Sequence, residues 1–176
     1  MEIQEVTNLL KHYRHDWMNQ LQLVHGYASM DKMDKVKEKV QAIIDASREE
    51  SKLMSLHAPQ FALWLIQFNM MHQDIRLTYN VTATVDFSNE DQSLFETCTD
   101  VVSVIKDHKD TLSLIQLHVD IGKGKEGCVH IRMNGSLHNE EAFCERISSL
   151  ENVQDLNTTM ERNETLYIIS IKTKER

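Results

Sequence analysis

The sequence of 176 residues is poor in the residues that interrupt or cross-link a chain. It has one proline, Pro59, five glycines, and three cysteines (Cys98, Cys128 and Cys144) with no CxxC spacing. An odd cysteine number without such a spacing argues against a disulfide framework and predicts reduced thiols. No apolar run approaches the roughly 20 residues that span a bilayer, and the N-terminus lacks a signal-peptide pattern. The sequence therefore predicts a cytoplasmic protein that does not associate with membranes.

The charge balance limits the possible partners. The net charge of −8 argues against nucleic-acid binding, which requires a basic face. Hydrophobic residues make up 41% and charged residues 26%, which predicts a globular chain rather than a disordered one. One segment departs from the acidic average, because residues 11–15 (KHYRH) contain two fixed positive charges, two histidines and no acid.

Pro59 divides the predicted secondary structure into two parts. Residues 1–30 and 33–56 each repeat apolar residues at steps of three and four, which predicts two helices joined by a short break. The short break predicts an antiparallel hairpin. Two such helices cannot bury their own apolar faces, so either the second half of the chain or another copy must cover them. Because long hairpins with short loops pair most economically into a four-helix bundle, we expect a dimeric bundle. The predicted domains are the helical hairpin, 1–57, and an α/β domain, 58–176.

Beyond Pro59, helical and alternating segments follow one another. Helices are predicted over 59–73, 88–108 and 138–150, and strands over 76–87, 111–120, 127–135 and 164–174. The second and third strands form a hairpin across a Gly/Lys turn. The aromatic and methionine residues of 61–71 are predicted to be core residues rather than a cofactor site. The predicted fold class is α+β, with helices layered on a mixed sheet.

His15 lies on the polar side of the first predicted helix. At about 100° per residue, the apolar residues fall within an arc of about 120°, and His15 lies almost opposite its centre. A neutral imidazole nitrogen is a good nucleophile for phosphorus, and the reference pKa of histidine, about 6.5, leaves most rings neutral. Asp16 is placed to orient the ring or accept its proton, and Asn19 to hydrogen-bond a phosphoryl group. Lys11 and Arg14 would steer an acidic partner toward the ring.

On geometry alone, an exposed histidine is more often simply solvated, but its neighbours form a family pattern. The segment RHDWMNQLQLVHGYASM resembles the phospho-accepting helix of the sporulation initiation phosphotransferase B family and of the related citrate/malate-type sensor histidine kinases. The resemblance continues as organisation, with a helical hairpin, a linker and a degenerate kinase-ATPase-like α/β domain. The matching residues are Arg14, His15, Asp16, Trp17, Asn19, Leu21 and Gly26.

The resemblance implies a homodimeric phosphotransferase. It would take a phosphoryl group onto His15 from the aspartyl phosphate of one response regulator and pass it to the aspartate of a second that controls sporulation. The donor would be a single-domain regulator and the acceptor a DNA-binding one. Mg²⁺ would be bound by the partner's receiver domain, and this chain would hold no cofactor or metal. The candidate residues are His15, Asp16 and Asn19 for catalysis, and Lys11, His12, Arg14, Met18, Gln22 and Gly26 for partner docking.

The second domain distinguishes a relay protein from an ATP-dependent kinase. The related kinases need an asparagine on the first long helix of this domain, to hold Mg²⁺, and an Asp-x-Gly-x-Gly after a strand. Residues 91–109 contain no asparagine, and after CVHIR the chain reads MNGSL, with Met133 in place of the acid and Leu137 in place of the second glycine. Asp120–Gly124 matches the pattern in letters but lies between two strands, which favours a hairpin turn. We therefore predict that ATP binding is lost.

Two alternatives remain open. One is an ATP-dependent sensor-type histidine kinase with a divergent nucleotide site, and the other is a non-catalytic dimeric protein that binds a regulator. A metal site formed by His118 and His130 across the hairpin is less favoured, since no third or fourth ligand is evident.

Overall fold

The chain folds as two compact units, residues 1–51 and 52–176. The computed structural model describes residues 3–82, 86–111, 113–122, 128–161 and 164–171, without the side chains of Glu5, Glu161 and Glu164. The division falls a few residues before the predicted one, because Leu53 and Leu56 are buried in the core of the second unit. Among the described helices, none combines the length and the apolar character needed to cross a bilayer.

The first unit is a helical hairpin made of α1 (Ile3–Ser29) and most of α2 (Met33–Met54). The chain reverses through Asp31, whose φ of 55° lies in the left-handed region that often ends a helix. Far from this turn, the Tyr13 hydroxyl donates a hydrogen bond to the Glu50 carboxylate at 2.5 Å. The start of α1 therefore lies beside the end of α2, and the predicted antiparallel hairpin is confirmed.

The apolar residues of this hairpin are not buried within it. Across residues 3–51, every side chain that the structure describes is exposed or half-buried. Leu10 is 63% exposed and Leu21 50%, although both belong to the apolar stripe predicted for α1. Met33 and Val40 of α2 are exposed in the same way. Two helices that touch along one line leave the remainder of their apolar faces open.

In its described residues, the second unit is a five-stranded sheet with three helices. Its elements are α3 (Pro59–Met71), β1 (Ile75–Val81), α4 (Asp91–His108), β2 (Ile115–Ile121), β3 (Val129–Asn134), α5 (Glu140–Ser148), β4 (Val153–Glu161) and β5 (Glu164–Ile171). The strand order is β1-β2-β3-β5-β4, with β1 and β2 parallel and the other neighbours antiparallel. Buried residues of the three helices and of the sheet form one apolar core. The predicted α+β class and mixed sheet are confirmed.

Strand β4 is absent from the sequence-based prediction. Its apolar residues Val153 and Leu156 are three positions apart, a spacing typical of a helix. A bulge between Val153 and Asp155 inserts one extra residue into the strand. Val153 opposite Ile171 and Leu156 opposite Ile169 can therefore both pack against the core.

The prediction of core residues in α3 is correct in part. Phe61 and Phe68 are buried, whereas Met71, at the C-terminal end of α3, is 69% exposed. At the C-terminal end of α3, an apolar residue is therefore not necessarily buried.

Helix α3 depends on a carboxylate from another helix. Ala58, which precedes Pro59, gives the helix no side-chain cap. Instead the buried carboxylate of Asp91, the first residue of α4, accepts hydrogen bonds from the amides of Gln60 at 3.1 Å and Phe61 at 2.9 Å. Two of the amides that a helix start leaves without partners are thereby satisfied, and a negative charge lies at the positive end of α3.

The outer edge of β1 is occupied by a side chain. The Asn69 amide of α3 donates to the carbonyl of Leu77 and accepts from its backbone N–H, both at 2.8 Å. A neighbouring strand would have to use these two backbone groups, and both are already satisfied within the unit.

The predicted hairpin of β2 and β3 is confirmed. Asp120 is a residue of β2, and its buried carboxylate lies 2.7 Å from Nε of Arg132 on β3. Gly122 follows β2 with a φ of 80°, and its amide donates to the Cys128 carbonyl at 2.8 Å. Residues 123–127, including Gly124, lie outside the described residues.

The Asp91 cap can be tested by substitution. Asp91→Ala should lower the free energy of unfolding by about 1–3 kcal/mol, because two helix amides lose a charged, buried acceptor. Asp100→Ala changes an exposed position of the same helix and should have an effect below about 0.5 kcal/mol. Urea unfolding followed by circular dichroism compares the two variants. Equal effects would mean that this carboxylate does not stabilise α3.

Candidate functional site

The candidate site is the outward face of α1 around His15. The His15 side chain is 71% exposed and the Asp16 side chain 76%. Between Ile3 and Val24, α1 contains neither glycine nor proline, so the backbone under His15 is a regular helix. The ring is therefore presented from a rigid support rather than from a pocket.

Two neighbours of His15 approach the same ring nitrogen. Nδ1 lies 3.3 Å from the Asp16 carboxylate and 3.2 Å from the Asn19 amide nitrogen. The carboxylate accepts a hydrogen bond only from a protonated Nδ1, whereas the Asn19 N–H donates only to an unprotonated one. The two hydrogen bonds therefore belong to different tautomers. When the proton is on Nδ1 beside Asp16, the lone pair of the neutral ring is on Nε2, which takes part in neither contact.

The residues predicted to dock a partner occupy a wide arc of α1. Lys11, His12, Arg14, Met18 and Gln22 are exposed, and Gly26 is half-buried. At about 100° per residue, Lys11 and Gln22 lie within about 40° of His15 around the helix axis. Arg14 lies about 100° away, beside the apolar stripe. Of the two predicted steering cations, Lys11 is therefore the one on the His15 face.

Two of these residues have informative local contacts. His12 Nδ1 lies 2.9 Å from the carbonyl oxygen of Asn8, one turn earlier, which fixes the orientation of its ring. A Cβ atom added to Gly26 would meet no atom within 4 Å. Packing among the described residues therefore does not require glycine at this position. The lack of a side chain at Gly26 leaves open space on the surface of α1.

The histidines of the hairpin do not form a pair. His118 lies opposite Arg132 in the register of the strands, and His130 lies opposite Asp120. His118 instead contacts the Thr78 hydroxyl through Nδ1 at 2.8 Å and lies 3.5 Å from Asp120 through Nε2. Within the described part of the chain, no group of three or more His, Cys, Asp and Glu residues is placed to hold a metal ion.

Glu50 is a residue of this unit that sequence reasoning missed. Glu50 belongs neither to the predicted apolar stripe nor to the predicted site, yet its carboxylate accepts the hydrogen bond from Tyr13, two residues before His15. A signal is present in the sequence. Val36, Ile43 and Glu50 follow one another at intervals of seven, so an acid continues a row of apolar residues.

Two family models match this chain, one over its N-terminal part and one over the remainder. Residues 1–56 match the family model "Sensor_kinase_SpoOB-type, alpha-helical domain", and residues 57–174 match "Sporulation initiation phospho-transferase B, C-terminal". Sporulation initiation phosphotransferase B of Bacillus subtilis (strain 168) is 30% identical over 176 residues, which cover 95% of this chain and 90% of that protein. The chain belongs to the sporulation initiation phosphotransferase B family. It is accordingly a phosphotransferase.

The solved structures resemble this chain less closely than the Bacillus subtilis protein does. The histidine kinase domain of a blue-light activated histidine kinase from Erythrobacter litoralis EL346 is 10% identical, with a TM-score of 0.39, over 87% of this chain and 93% of that one. The longer kinase from the same organism is 14% identical, with a TM-score of 0.41, over 93% of this chain and 58% of that one. Similarities this weak carry no conclusion about activity.

The contact between Asp16 and Nδ1 predicts which substitution should impair His15. Asp16→Asn should slow the reaction of His15 with phosphoramidate, a small phosphoryl donor, by roughly tenfold, because a neutral amide favours the Nδ1–H tautomer less than a carboxylate does. The product should carry phosphorus on Nε2. Asp34→Asn, at an exposed position of α2, should react at the wild-type rate. ¹⁵N and ³¹P NMR follow both rate and position. An Nδ1 adduct would contradict the tautomer assignment.

Proposed function

We propose that this chain is a phosphorelay phosphotransferase. It accepts a phosphoryl group on His15 from the aspartyl phosphate of one response regulator, a single-domain protein. It then passes the group to the aspartate of a second, DNA-binding regulator that controls sporulation. The observation that supports this most directly is the exposed His15 ring on a rigid helix, with Asp16 and Asn19 at Nδ1, in a member of a phosphotransferase family.

Each step of the proposed transfer needs no reactant beyond this chain and one regulator. The Nε2 lone pair forms the bond to phosphorus while the bond between phosphorus and the regulator's aspartate oxygen breaks, and the carboxylate leaves. The proton on Nδ1 stays in place, where the Asp16 carboxylate balances the positive charge of the ring. In the second step, the carboxylate of the other regulator attacks phosphorus and His15 leaves as a neutral imidazole. Electrons and protons balance in both steps.

Asn19 has a separate role in this proposal. While Asp16 accepts the hydrogen bond from Nδ1–H, the Asn19 amide has no acceptor on the ring, and its N–H groups are available to phosphoryl oxygens. Its 3.2 Å distance from the ring supports this role, because a group one helical turn away is already within reach. Asp16 thus prepares the nucleophile, and Asn19 stabilises charge on the transferred group.

The regulator supplies the remaining chemistry. A receiver domain brings its own Mg²⁺ and carboxylates, so this chain is proposed to bind no metal and no cofactor. Lys11 provides the positive charge that favours approach of such an acidic site. His12, Met18, Gln22 and Gly26 form the rest of the proposed docking surface, with Arg14 at its border.

The proposed active form is a homodimer. The exposed apolar residues of α1 and α2 need an apolar partner, and a second copy supplies the same stripe. Two hairpins that face each other through a two-fold axis close such stripes into a four-helix bundle. His15, on the opposite side of α1, then remains accessible to a regulator.

The ATP-dependent alternative finds little support in the second unit. Met133, which stands where the related kinases have an acid, is fully buried in the core. Gly135 has a φ of 147°, and a Cβ atom there would lie 2.5 Å from the Ile115 side chain, so packing accounts for this glycine. The glycine that remains of the motif is therefore explained by packing in the fold.

Loss of the imidazole tests the proposal. His15→Gln should abolish transfer from a phosphorylated receiver to a second receiver while changing the free energy of unfolding by less than about 0.5 kcal/mol, because the side chain is exposed. His25→Gln, at another exposed position of α1, should retain transfer. Gel electrophoresis with ³²P-labelled receiver measures both.

The same experiment separates the alternatives. Transfer by His15→Gln would refute the proposal. Label on wild-type His15 from γ-labelled ATP without a partner would favour the kinase. Binding of a receiver without transfer by the wild type would favour the non-catalytic protein.

The proposed bundle predicts an effect of charge in the stripe. Val40→Asp should yield a monomer at micromolar concentration, since pairing would bury an unpaired carboxylate at a cost of several kcal/mol, on the order of 3–5. Ala42→Asp, roughly on the opposite side of α2, should remain dimeric. Analytical ultracentrifugation distinguishes the two, and a monomeric wild type would rule out the bundle.

A further inference from the structure

The Tyr13–Glu50 hydrogen bond is a directional contact between α1 and α2. The Tyr13 hydroxyl donates to the Glu50 carboxylate at 2.5 Å, and the residues are 37 positions apart. The hydrogen bond to Glu50, more than burial, raises the pKa of the Tyr13 hydroxyl, so the tyrosine remains the donor. Trp17, one turn along, lowers this pKa through a hydrogen bond to the same side chain.

The position of Glu50 would be costly for stability in the proposed dimer. It continues the row of Val36 and Ile43 at the heptad interval, and all three are half-buried on α2. In the proposed dimer this row turns toward the bundle interior, where a carboxylate loses hydration. An aliphatic residue would pack there at lower cost. A polar group that interrupts an apolar heptad row commonly specifies register.

Apolar rows alone select the register of two helices weakly. A shift of one turn moves a helix by about 5.4 Å along its axis and still places apolar residues against apolar residues. The Tyr13 hydroxyl reaches the Glu50 carboxylate in only one of these alignments. A shifted alignment would leave the half-buried acid without its donor.

The register of α1 against α2 at Tyr13 also sets the position of His15. The two residues are two positions apart on one regular helix, with Tyr13 in the apolar arc and His15 nearly opposite its centre. Any slip or rotation of α1 against α2 therefore displaces the imidazole. Phosphoryl transfer requires the attacking nitrogen, phosphorus and leaving oxygen to lie nearly in line, and a displacement of about 1 Å can cost roughly 100-fold in rate.

We propose that the Tyr13–Glu50 hydrogen bond fixes the register of α1 against α2, and that both residues are positioning residues for transfer at His15. The inference rests on the proposed function for its kinetic consequence. The pair touches neither the phosphoryl group nor the regulator. It acts by restricting the hairpin to one alignment.

The test separates register from stability. Glu50→Leu completes the apolar row and should keep the dimer and match or exceed the wild-type unfolding temperature. It should nevertheless lower the transfer rate constant at saturating receiver by roughly tenfold, and α1 amides should give more than one set of NMR signals. Glu50→Gln retains an acceptor oxygen for Tyr13 and should restore a rate close to that of the wild type. Tyr27→Phe, a half-buried tyrosine of the same helix, serves as the control and should transfer normally.

A second variant keeps the test decisive if Glu50→Leu folds poorly. Tyr13→Phe should leave Glu50 without its donor and lower both stability and rate, and adding Glu50→Leu should recover stability but not rate. Wild-type transfer at saturation by either Glu50→Leu or the double variant, with one set of α1 signals, would overturn the register role. A loss of transfer rate that is fully explained by the unfolded fraction of the variant would also overturn the register role. Neither result touches the proposed function, which fails only if His15→Gln still transfers.

Discussion

The periodicity of α1 imposes the constraint on which the proposed function depends, because it places two different surfaces on opposite sides of one helix. A single regular helix carries an apolar stripe on one side and His15 on the other. Whatever covers the stripe turns the imidazole outward, since the helix has no glycine or proline before Gly26 that would let the two sides move independently. The proposed assembly and the outward presentation of His15 are therefore consequences of the same spacing of residues.

In the proposed reaction, this chain itself contributes few chemical groups. Asp16 and Asn19 compete for Nδ1, and the outcome decides which nitrogen carries the lone pair. Charge neutralisation, metal binding and in-line geometry are left to the partner in the proposed reaction. The proposed chemistry assigns no step to the second unit. Its core is filled by residues such as Met133, and its helix α3 begins at the Asp91 carboxylate of α4.

The elements with simple periodicity could be predicted from the sequence. Both hairpin helices, the β2–β3 hairpin and the mixed sheet follow from spacings of three to four or of two. Strand β4 could not, because its bulge gives Val153 and Leu156 a helical spacing. At the site, His15 and its neighbours followed from a local motif. The Tyr13–Glu50 and Asp91–Phe61 contacts did not, since they join residues 37 and 30 positions apart and need the tertiary structure to bring them together.

Asn69 gives the second unit a safeguard against association through the edge of its sheet. Without α3, the N–H and carbonyl groups of Leu77 would be open to a strand from another molecule, which is the first step of aggregation through sheet edges. With α3 in place, the Asn69 amide takes both groups. Any local unfolding that releases α3 would therefore make β1 vulnerable to aggregation.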